Sequence, residues 1–509
     1  MNVLRTRRYV PLLFAGCLAL FSGWTTQSAW AEASVDTLKK QARTGSREER
    51  ITALKALVKK GNVALIPLRV SILNGDYKVR EEAAKMIATF GKEAVPHLKY
   101  ILKNGKNAAV IEALEAIAKI GKDAKELEPL LFAFVKAYNS RIHEYVLKAY
   151  ASLGAVTLKS LVKGVKTGKT KIVVPCFQAL RALGKTAAPA LRELIQHNPA
   201  NIPTVQDAAC ILATLGPKHA TFAMPHLLKI LKGNRRGMYI DVFKALGKTG
   251  AVGKQAVPAI VAFLEDKSKG KHFKKYGLKA LRGIGIHAVE AIPTLTTFAR
   301  MKNMRYAFAA AFAMSTMKEK GLRALVTLLR AKEKRTVKVA LRAIGKMGKE
   351  ATPALKSIYP ILLDKDLYVR AYAVEALGSI GEAASYPYVL KIAQEEKDKM
   401  ILRDAIRALS KLKPTDAKTL KVLEKSCWHD SWYVRRLAVR LLGKDDKKGL
   451  AILIKLLKQD NFKEKIAALK VIAKMGKKAK AALPLLKKMK KTTSGKLHNA
   501  VLSAYFDVK

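Results

Sequence analysis

Histidine and cysteine are the residues of this chain best suited to metal binding or nucleophilic catalysis, but their arrangement favours neither. The nine histidines are scattered singly along 509 residues, whereas a metal site needs several ligands brought together. Cys176, Cys210 and Cys427 predict three buried thiols rather than a disulfide framework. No glycine-rich phosphate loop, Gly-x-Ser-x-Gly elbow or paired-carboxylate motif stands out. We therefore predict a protein that is not an enzyme and has no cofactor or metal.

One short segment, residues 427–433, combines aromatic and polar side chains in an unusual way. It reads Cys-Trp-His-Asp-Ser-Trp-Tyr and includes Trp428, Trp432 and Tyr433. We expect Trp432 to pack between structural elements and Trp428 to be exposed. The alternative is a recognition surface, because large aromatic side chains with a polar edge are typical anchors of binding sites. The three aromatic residues are thus a possible contact for a ligand.

Positive charge is the most pronounced property of the chain. The 96 Lys and Arg residues stand against 39 Asp and Glu residues, for a formal net charge of +57. A hydrophobic content of 50% excludes a disordered tail, and only 7% aromatic residues disfavours a β-sandwich. Such a charge favours an acidic partner, either a protein or an anionic polymer or lipid surface. Because lysine greatly outnumbers arginine, specific recognition of nucleic acid is the less favoured alternative.

The excess of lysine is greatest near the carboxyl end. Between residues 461 and 498 the only acidic residue is Glu464, and twelve residues are lysine. The densest part of this segment is the cluster Lys487, Lys488, Lys490 and Lys491. We predict that this cluster contributes to a weakly specific, salt-sensitive electrostatic surface.

The elements that must position these side chains are short repeats with a regular glycine. The marker is Ala-Leu-x-x-(Leu/Ile)-Gly, as in residues 179–184 and 376–381. Its last position recurs fourteen times, at 61, 91, 121, 154, 184, 216, 250, 285, 318, 348, 381, 413, 446 and 476. Only Lys318, Lys413 and Asp446 replace the glycine. Such a period is typical of a repeat architecture.

Each repeat is predicted to be a pair of helices. In residues 76–105, apolar residues recur at helical spacing on both sides of Gly91, which can adopt the left-handed conformation that ends a helix. Ten repeats place proline in the first turn of the second helix: Pro67, Pro96, Pro129, Pro189, Pro225, Pro258, Pro293, Pro353, Pro387 and Pro484. The predicted fold is all-α, an α-solenoid of about fourteen stacked helix pairs over residues 32–493, followed by a capping helix at 494–509.

A basic residue recurs at one place in this repeat. Seven residues after the proline stand Lys103, Lys136, Lys232, Arg300 and Lys491, with Lys458 at the equivalent place of a repeat without the proline. This is the last turn of the second helix, where a cation is favoured by the helix dipole. Stacked repeats would align these cations along one edge. We predict that they form a binding surface for anions.

These repeats resemble the HEAT repeat, in particular the short bacterial type of phycobilin-lyase-like proteins, whose first helix begins Asp-x-x-Val-Arg. The motif stands at residues 76–80 and 366–370, and nearly so at 431–435. The resemblance covers residues 40–509 and implies a structural role for the Asp and Arg, which link adjacent repeats. HEAT-like protein hydroxylases carry several His-Glu pairs that hold iron, whereas this chain has only His143-Glu144. An enzyme of the phycobilin-lyase-like group, acting on a protein or a tetrapyrrole, is an alternative function.

The amino-terminal residues 1–31 have the pattern of a secretory signal peptide. Three arginines precede an apolar stretch from Val10 to Phe21, and Ala29 and Ala31 form a cleavage site. Attachment of lipid to Cys17, in Phe-Ala-Gly-Cys, is the alternative. The stretch is short for a membrane span. We expect a periplasmic or secreted bacterial scaffold without a transmembrane span after cleavage, binding its partner through the basic surface.

Overall fold

The fold is an array of antiparallel helices in two compact units. A computed structural model describes residues 33–137, 139–197, 201–233, 236–413, 416–444, 447–460 and 462–509, and these residues contain no β-strand. One unit ends at Leu215 and the other runs from Gly216 to Lys509. The predicted signal peptide, with Ala29, Ala31 and the alternative lipidation site Cys17, lies outside the described residues. None of the described helices has the length and apolar character needed to cross a membrane.

The first unit consists of twelve helices among the described residues. They are α1 (Val35–Thr44), α2 (Arg47–Lys59), α3 (Leu65–Asn74), α4 (Tyr77–Ile87), α5 (Val95–Asn104), α6 (Asn107–Ile120), α7 (Glu128–Ala137), α8 (His143–Ser152), α9 (Leu158–Lys166), α10 (Thr170–Ala182), α11 (Ala188–His197) and α12 (Ile202–Leu212).

The second unit has eighteen helices in its described part. They are α13 (Pro217–Lys232), α14 (Tyr239–Leu246), α15 (Val257–Glu265), α16 (Lys271–Ile284), α17 (Ile292–Ala299), α18 (Met304–Met314), α19 (Lys318–Leu328), α20 (Lys334–Met347), α21 (Leu355–Ile358), α22 (Leu367–Ile380), α23 (Tyr386–Glu395), α24 (Lys399–Leu412), α25 (Ala417–Ser426), α26 (Trp432–Leu442), α27 (Lys448–Leu457), α28 (Phe462–Met475), α29 (Leu483–Thr492) and α30 (Gly495–Val508).

The repeat in residues 76–105 illustrates why the sequence folds into helix pairs. Asp76 begins α4 by accepting hydrogen bonds from the backbone N–H groups of Lys78 and Val79, at 3.0 and 3.3 Å. The apolar positions of α4 are buried, as are those of α5. Neither helix is long enough to be stable alone, so burial of the two apolar faces against each other and against neighbouring pairs stabilises both.

The glycine positions end the first helix of each pair, as predicted. Gly91 has a φ of +54°, in the left-handed region that favours glycine, and the ten other glycines of the series also have positive φ. Lys318, which occupies the same position, has a φ of +51° and is the only described non-glycine residue with positive φ. The conformation is therefore imposed by the repeat even where the residue type opposes it.

Most of the prolines of the series lie at the start of the second helix. Pro96, Pro258 and Pro293 occupy the first or second helical position, where a proline costs no hydrogen bond. Two prolines depart from the prediction. Pro353 lies in the 3₁₀ segment before α21, and Pro225 lies in the interior of the continuous helix α13. That helix begins with Pro217 directly after Gly216, so it lacks the separate turn that other repeats place between glycine and proline.

Within each unit, first helices pack on first helices of the next pair and second helices on second helices. In the second unit α20 contacts α22, α22 contacts α24, and α23 contacts α25. Small residues permit close approach in this stack: a Cβ atom added to Gly378 would lie only 2.5 Å from the Cβ of Ala408. Each unit is thus an α-solenoid, and the predicted all-α repeat fold is confirmed.

The last helix, α30, packs against α28 and α29. Val501, Ala504 and Val508 are buried at its inner face. Leu502 and Tyr505 of the same helix are half-buried. A helix over 494–509 is therefore observed, and its role as a cap stays a prediction.

Candidate binding surfaces

The recurring cations lie where the repeat predicts them. In the first unit Lys103 and Lys136 are in the last turns of α5 and α7. In the second unit Lys232 and Lys491 end α13 and α29, whereas Arg300 and Lys458 directly follow α17 and α27. All six side chains are exposed. Each lies near the negative end of a helix dipole, which stabilises the cation without neutralising it.

These six cations have no acidic partner among the residues that the structure describes. Lys136 instead lies over the ring of Phe132, with its Nζ 4.9 Å from the ring centre. Exposed cations of this kind remain available to an external anion. Whether they act together is a question for the proposed function below.

The carboxyl-terminal cluster is on α29 and is also exposed. Lys490 differs from the other three lysines, because its Nζ lies 5.2 Å from the ring centre of Tyr505 and 5.5 Å from that of Phe506. This contact ties Lys490 to α30. Lys487, Lys488 and Lys491 point to solvent and form no ion pair with a described residue.

The position of Glu464 increases the positive character of this region. Its Oε1 lies 2.6 Å from the Nε of Arg435, which belongs to the preceding repeat, and its side chain is only 9% exposed. The one acidic residue between 461 and 498 is therefore withdrawn from the surface. The sequence does not indicate this, since Glu464 is flanked by Lys463 and Lys465 and would be expected to neutralise them.

The aromatic segment forms an exposed patch on the second unit. Trp428, Trp432 and Tyr433 are 47%, 49% and 60% exposed. The prediction that Trp432 packs between repeats is wrong: its ring stacks on that of Tyr433, with centres 3.6 Å apart. Both residues are in the first turn of α26, beside residues 397–399 of the preceding repeat, and a large part of each side chain is exposed. The predicted exposure of Trp428 is confirmed.

Arg435 stabilises the turn that carries this patch. Its Nη1 donates hydrogen bonds to the carbonyl oxygens of His429 and Asp430, each at 2.8 Å. Beside the patch lies an open groove of about 540 Å³, lined by residues 397–399 and 429–433. The groove combines Lys397 and Lys399, Asp398 and Asp430 with the Trp432–Tyr433 stack. Such a surface can contact planar groups and groups of either charge.

A second cleft, of about 530 Å³, lies between the helix pairs α15–α16 and α17–α18. Sequence reasoning did not find it, because its lining comes from residues distributed over 264–306 with no local motif. Leu264, Phe298, Met301 and Tyr306 supply the apolar lining, and Lys267, Lys271 and Lys274 are the cations.

The residues examined for catalysis are engaged in structural contacts. His143 has its Nε2 at 2.6 Å from the Oε1 of Gln178. Cys176, Cys210 and Cys427 are buried and joined by no disulfide, and burial raises the pKa of the Cys176 and Cys427 thiols to about 12. Within the described ranges no three His, Cys, Asp or Glu side chains are placed to hold a metal ion.

The Arg of the Asp-x-x-Val-Arg motif has a recurrent structural role. Arg370 donates to the carbonyl oxygen of Asp364 at 3.0 Å and reaches Glu396 of the next repeat at 3.4 Å. Arg435 makes the equivalent contacts with its own turn and with Glu464. The Arg therefore links a turn to the following repeat.

Comparison with known proteins is consistent with this architecture. Residues 357–438 match the model of HEAT repeats, so the predicted resemblance to HEAT repeats is confirmed over a range that includes the motif at 366–370. The phycobilin-lyase-like type stays a prediction. No curated protein matches the chain.

Three similar structures illustrate the range of relatives. YibA of E. coli is 16% identical, and the match covers 54% of this chain and 97% of YibA with a TM-score of 0.37. Kap95p, studied in its binding to RanGDP, is 12% identical, with 96% of this chain and 86% of Kap95p covered and a TM-score of 0.47. The karyopherin Kap121p, bound to the extreme carboxyl terminus of the phosphatase Cdc14p, is 10% identical, with 93% and 67% covered and a TM-score of 0.48.

Proposed function

We propose that this protein is a non-enzymatic binding scaffold of the bacterial envelope, which holds an anionic partner through cations at the ends of its second helices. The observation that carries the proposal is the surface of α28 and α29. There Lys487, Lys488 and Lys491 are exposed, and the only nearby acid of the segment, Glu464, is paired with Arg435 in the interior. These three lysines form no ion pair with a described residue, which favours an external anion.

The repeat architecture supports an extended contact rather than a single pocket. Equivalent positions on several second helices carry a cation, namely Lys103 and Lys136 in one unit, and Arg300, Lys458 and Lys491 in the other. Each contact with an anionic surface contributes only about 1 kcal/mol, so affinity arises from their sum. Such binding is weakly specific and decreases steeply as salt is added.

Export to the periplasm or the cell surface is part of the proposal and rests on residues 1–31. Their arginines, apolar stretch and Ala29-Trp30-Ala31 segment support cleavage before Glu32. Fractionation of cells followed by amino-terminal sequencing of the protein tests this directly. A cytoplasmic protein that retains Met1 would contradict export and favour the nucleic-acid alternative.

The binding proposal is tested with vesicles of phosphatidylglycerol mixed with phosphatidylcholine, and with phosphatidylcholine alone. We expect the mature chain to bind the anionic vesicles at low salt and to be released at high salt. The triple variant Lys487→Glu, Lys488→Glu, Lys491→Glu should bind at least about 100-fold more weakly, because three attractive contacts of about 1 kcal/mol each become repulsive. Lys490 is left unchanged because its contact with Tyr505 and Phe506 contributes to packing.

A matched control makes the same change of net charge elsewhere. Lys55, Lys59 and Lys60 are exposed on α2 or directly after it, and none of them belongs to the proposed surface. Their triple substitution by Glu should weaken binding only a few-fold. Equal losses in the two triple variants would show that net charge alone governs adhesion and would contradict a dedicated surface.

A protein partner is the second candidate, and the exposed Trp432–Tyr433 stack favours it. Tryptophan and tyrosine are frequent anchors of protein interfaces, and the stacked pair here exposes 49% of Trp432 and 60% of Tyr433. A pull-down from envelope extract at high salt tests this candidate. A protein partner is supported over an anionic lipid or polymer if a single protein stays bound at high salt. The same protein should be lost in Trp432→Ala and retained in the triple Lys487, Lys488, Lys491 variant.

A further inference from the structure

The cleft between α15–α16 and α17–α18 has an apolar interior and a basic mouth. Leu264 and Phe298 are buried at its base, and Met301 and Tyr306 form a side wall. The wall is fixed, because the hydroxyl of Tyr306 donates to the carbonyl oxygen of Lys271 at 2.7 Å and its ring meets that of Phe298 edge-on. A volume of about 530 Å³ is within the usual range of small-molecule sites.

The charged groups at the mouth are predominantly cationic. Lys267, Lys271 and Lys274 line the cleft and form no ion pair with any described residue. Lys269, nearby, points elsewhere and donates to the carbonyl oxygen of Gly233 and the hydroxyl of Tyr239. Glu265 is the one acidic residue of the lining, and its Oε1 accepts a hydrogen bond from Thr294 at 2.7 Å.

Lys274 is the cation most affected by this environment. It is half-buried, and burial lowers the pKa of its amine, while the neighbouring charge of Lys271 lowers the pKa further and that of Asp266 partly compensates. An ammonium group in this position lacks the hydration of an exposed lysine. A bound carboxylate would provide the counter-charge that the protein itself supplies only in part.

Most of the neutral polar groups of the lining are already engaged, the side-chain N–H groups of Asn303 excepted. Thr294 donates to Glu265, Thr297 donates to the carbonyl oxygen of Pro293 at 3.3 Å, and the Oδ1 of Asn303 accepts from the backbone N–H of Arg305 at 3.0 Å. A peptide in the cleft would have to bury backbone amides with few partners, which is costly. A hydrocarbon chain has no such requirement.

We propose that this cleft binds a long-chain fatty acid, with the acyl chain against Leu264, Phe298, Met301 and Tyr306 and the carboxylate at Lys271 and Lys274. The ligand class follows from the combination of an apolar interior, cations confined to the mouth, and mostly engaged neutral polar groups. The site uses none of the lysines assigned to the extended basic surface, so either binding activity can fail while the other persists.

The test is calorimetric titration of the mature chain with oleate below its micelle concentration. We expect one site per chain, and at least 10-fold weaker binding of methyl oleate, which has the same chain without the charge. Lys274→Met should reduce oleate affinity at least 10-fold, and the double variant with Lys271→Met should reduce it further. Lys279→Met is the matched control, since Lys279 is exposed on the same helix α16 but does not line the cleft.

A second variant tests occupancy of the interior independently of charge. Thr297→Trp places a large side chain in the cleft from an exposed position of α17, and it should abolish binding while the circular dichroism and melting stay close to those of the parent. Thr297→Phe serves the same purpose if the larger ring destabilises the fold. Equal binding of oleate and methyl oleate, unchanged binding in Thr297→Trp, or displacement of oleate by an acidic peptide would overturn the proposal.

Discussion

Arg435 and Glu464 form a largely buried ion pair, with the Nε of Arg435 2.6 Å from the Oε1 of Glu464. The same guanidinium holds the turn that carries the aromatic patch, through the carbonyl oxygens of His429 and Asp430. One side chain thus connects two consecutive repeats, positions Trp432, and withdraws the only acid of a lysine-rich segment from solvent. The pair therefore affects both the stability of the repeats and the net charge of the lysine-rich surface.

Arg435→Ala is expected to destabilise the second unit by about 3–5 kcal/mol. The substitution leaves Glu464 buried without its counter-charge and leaves two turn carbonyls without their donor. Urea unfolding followed by circular dichroism measures the loss.

The neighbouring Arg436 provides the control for this prediction, because it is exposed on the same helix. Arg436→Ala should change the free energy of unfolding by no more than about 0.5 kcal/mol. The variant Glu464→Gln should restore part of the stability lost in Arg435→Ala, because it removes the buried charge. No recovery in the double variant would mean that the turn contacts of Arg435, and not the ion pair, determine its contribution.

Lys318→Gly is expected to stabilise the protein by about 1 kcal/mol. Lys318 has a φ of +51°, where a side chain with a Cβ atom is strained and glycine is not. Lys320→Gly, on the regular part of α19, should instead destabilise by about 1 kcal/mol. Melting temperatures of the two variants test the prediction, and destabilisation by both would contradict strain at Lys318.

Cys427 is expected to make stability fall as the solution becomes alkaline. Burial raises the pKa of its thiol to about 12, with smaller contributions from Glu424 and Glu464. In the unfolded chain the thiol ionises near pH 8.5, whereas in the folded state it keeps its proton. The free energy of unfolding therefore decreases as pH rises from 8.5 toward 12.

The comparison of parent and Cys427→Ala isolates this effect. The alanine variant is less stable at pH 8 because of the cavity. Between pH 8.5 and pH 10 the difference in the free energy of unfolding between parent and variant should shrink by about 2 kcal/mol, or about 1.4 kcal/mol per pH unit. Native protein should also react slowly with a thiol reagent at pH 8, with all three thiols of the mature chain reacting after unfolding. Rapid reaction of native Cys427, or a pH-independent difference, would contradict the burial.

Helix α30 is expected to protect the core of the preceding repeat. Val501→Asp places an unpaired charge at its buried face and should destabilise by about 3 kcal/mol or more. Asn499→Asp adds the same charge at an exposed position and should be nearly neutral. A chain ended at residue 493 should aggregate, as judged by light scattering and melting. Unchanged solubility and melting of that shortened chain would refute the capping role.

Local sequence predicts most of the solenoid. Glycine at the turn, proline at the start of the second helix and apolar residues at helical spacing each constrain the backbone within a few residues, so they are recognisable without the fold. The register even identifies Lys318 as a left-handed position, although its residue type disfavours that conformation. The exposed cations at the ends of second helices follow from the same register.

The tertiary structure decides what depends on partners far apart in the chain. Glu464 is removed from the surface by an arginine 29 residues away, and the fatty-acid cleft is assembled from four helices. Pro225 lies inside a continuous helix because the turn before it is absent in that repeat. Trp432 is half exposed because its ring stacks on that of Tyr433 at the start of α26 rather than packing between repeats. Sequence periodicity describes a residue's position within its own helix, whereas burial, pairing and cavity shape depend on which other helix lies opposite.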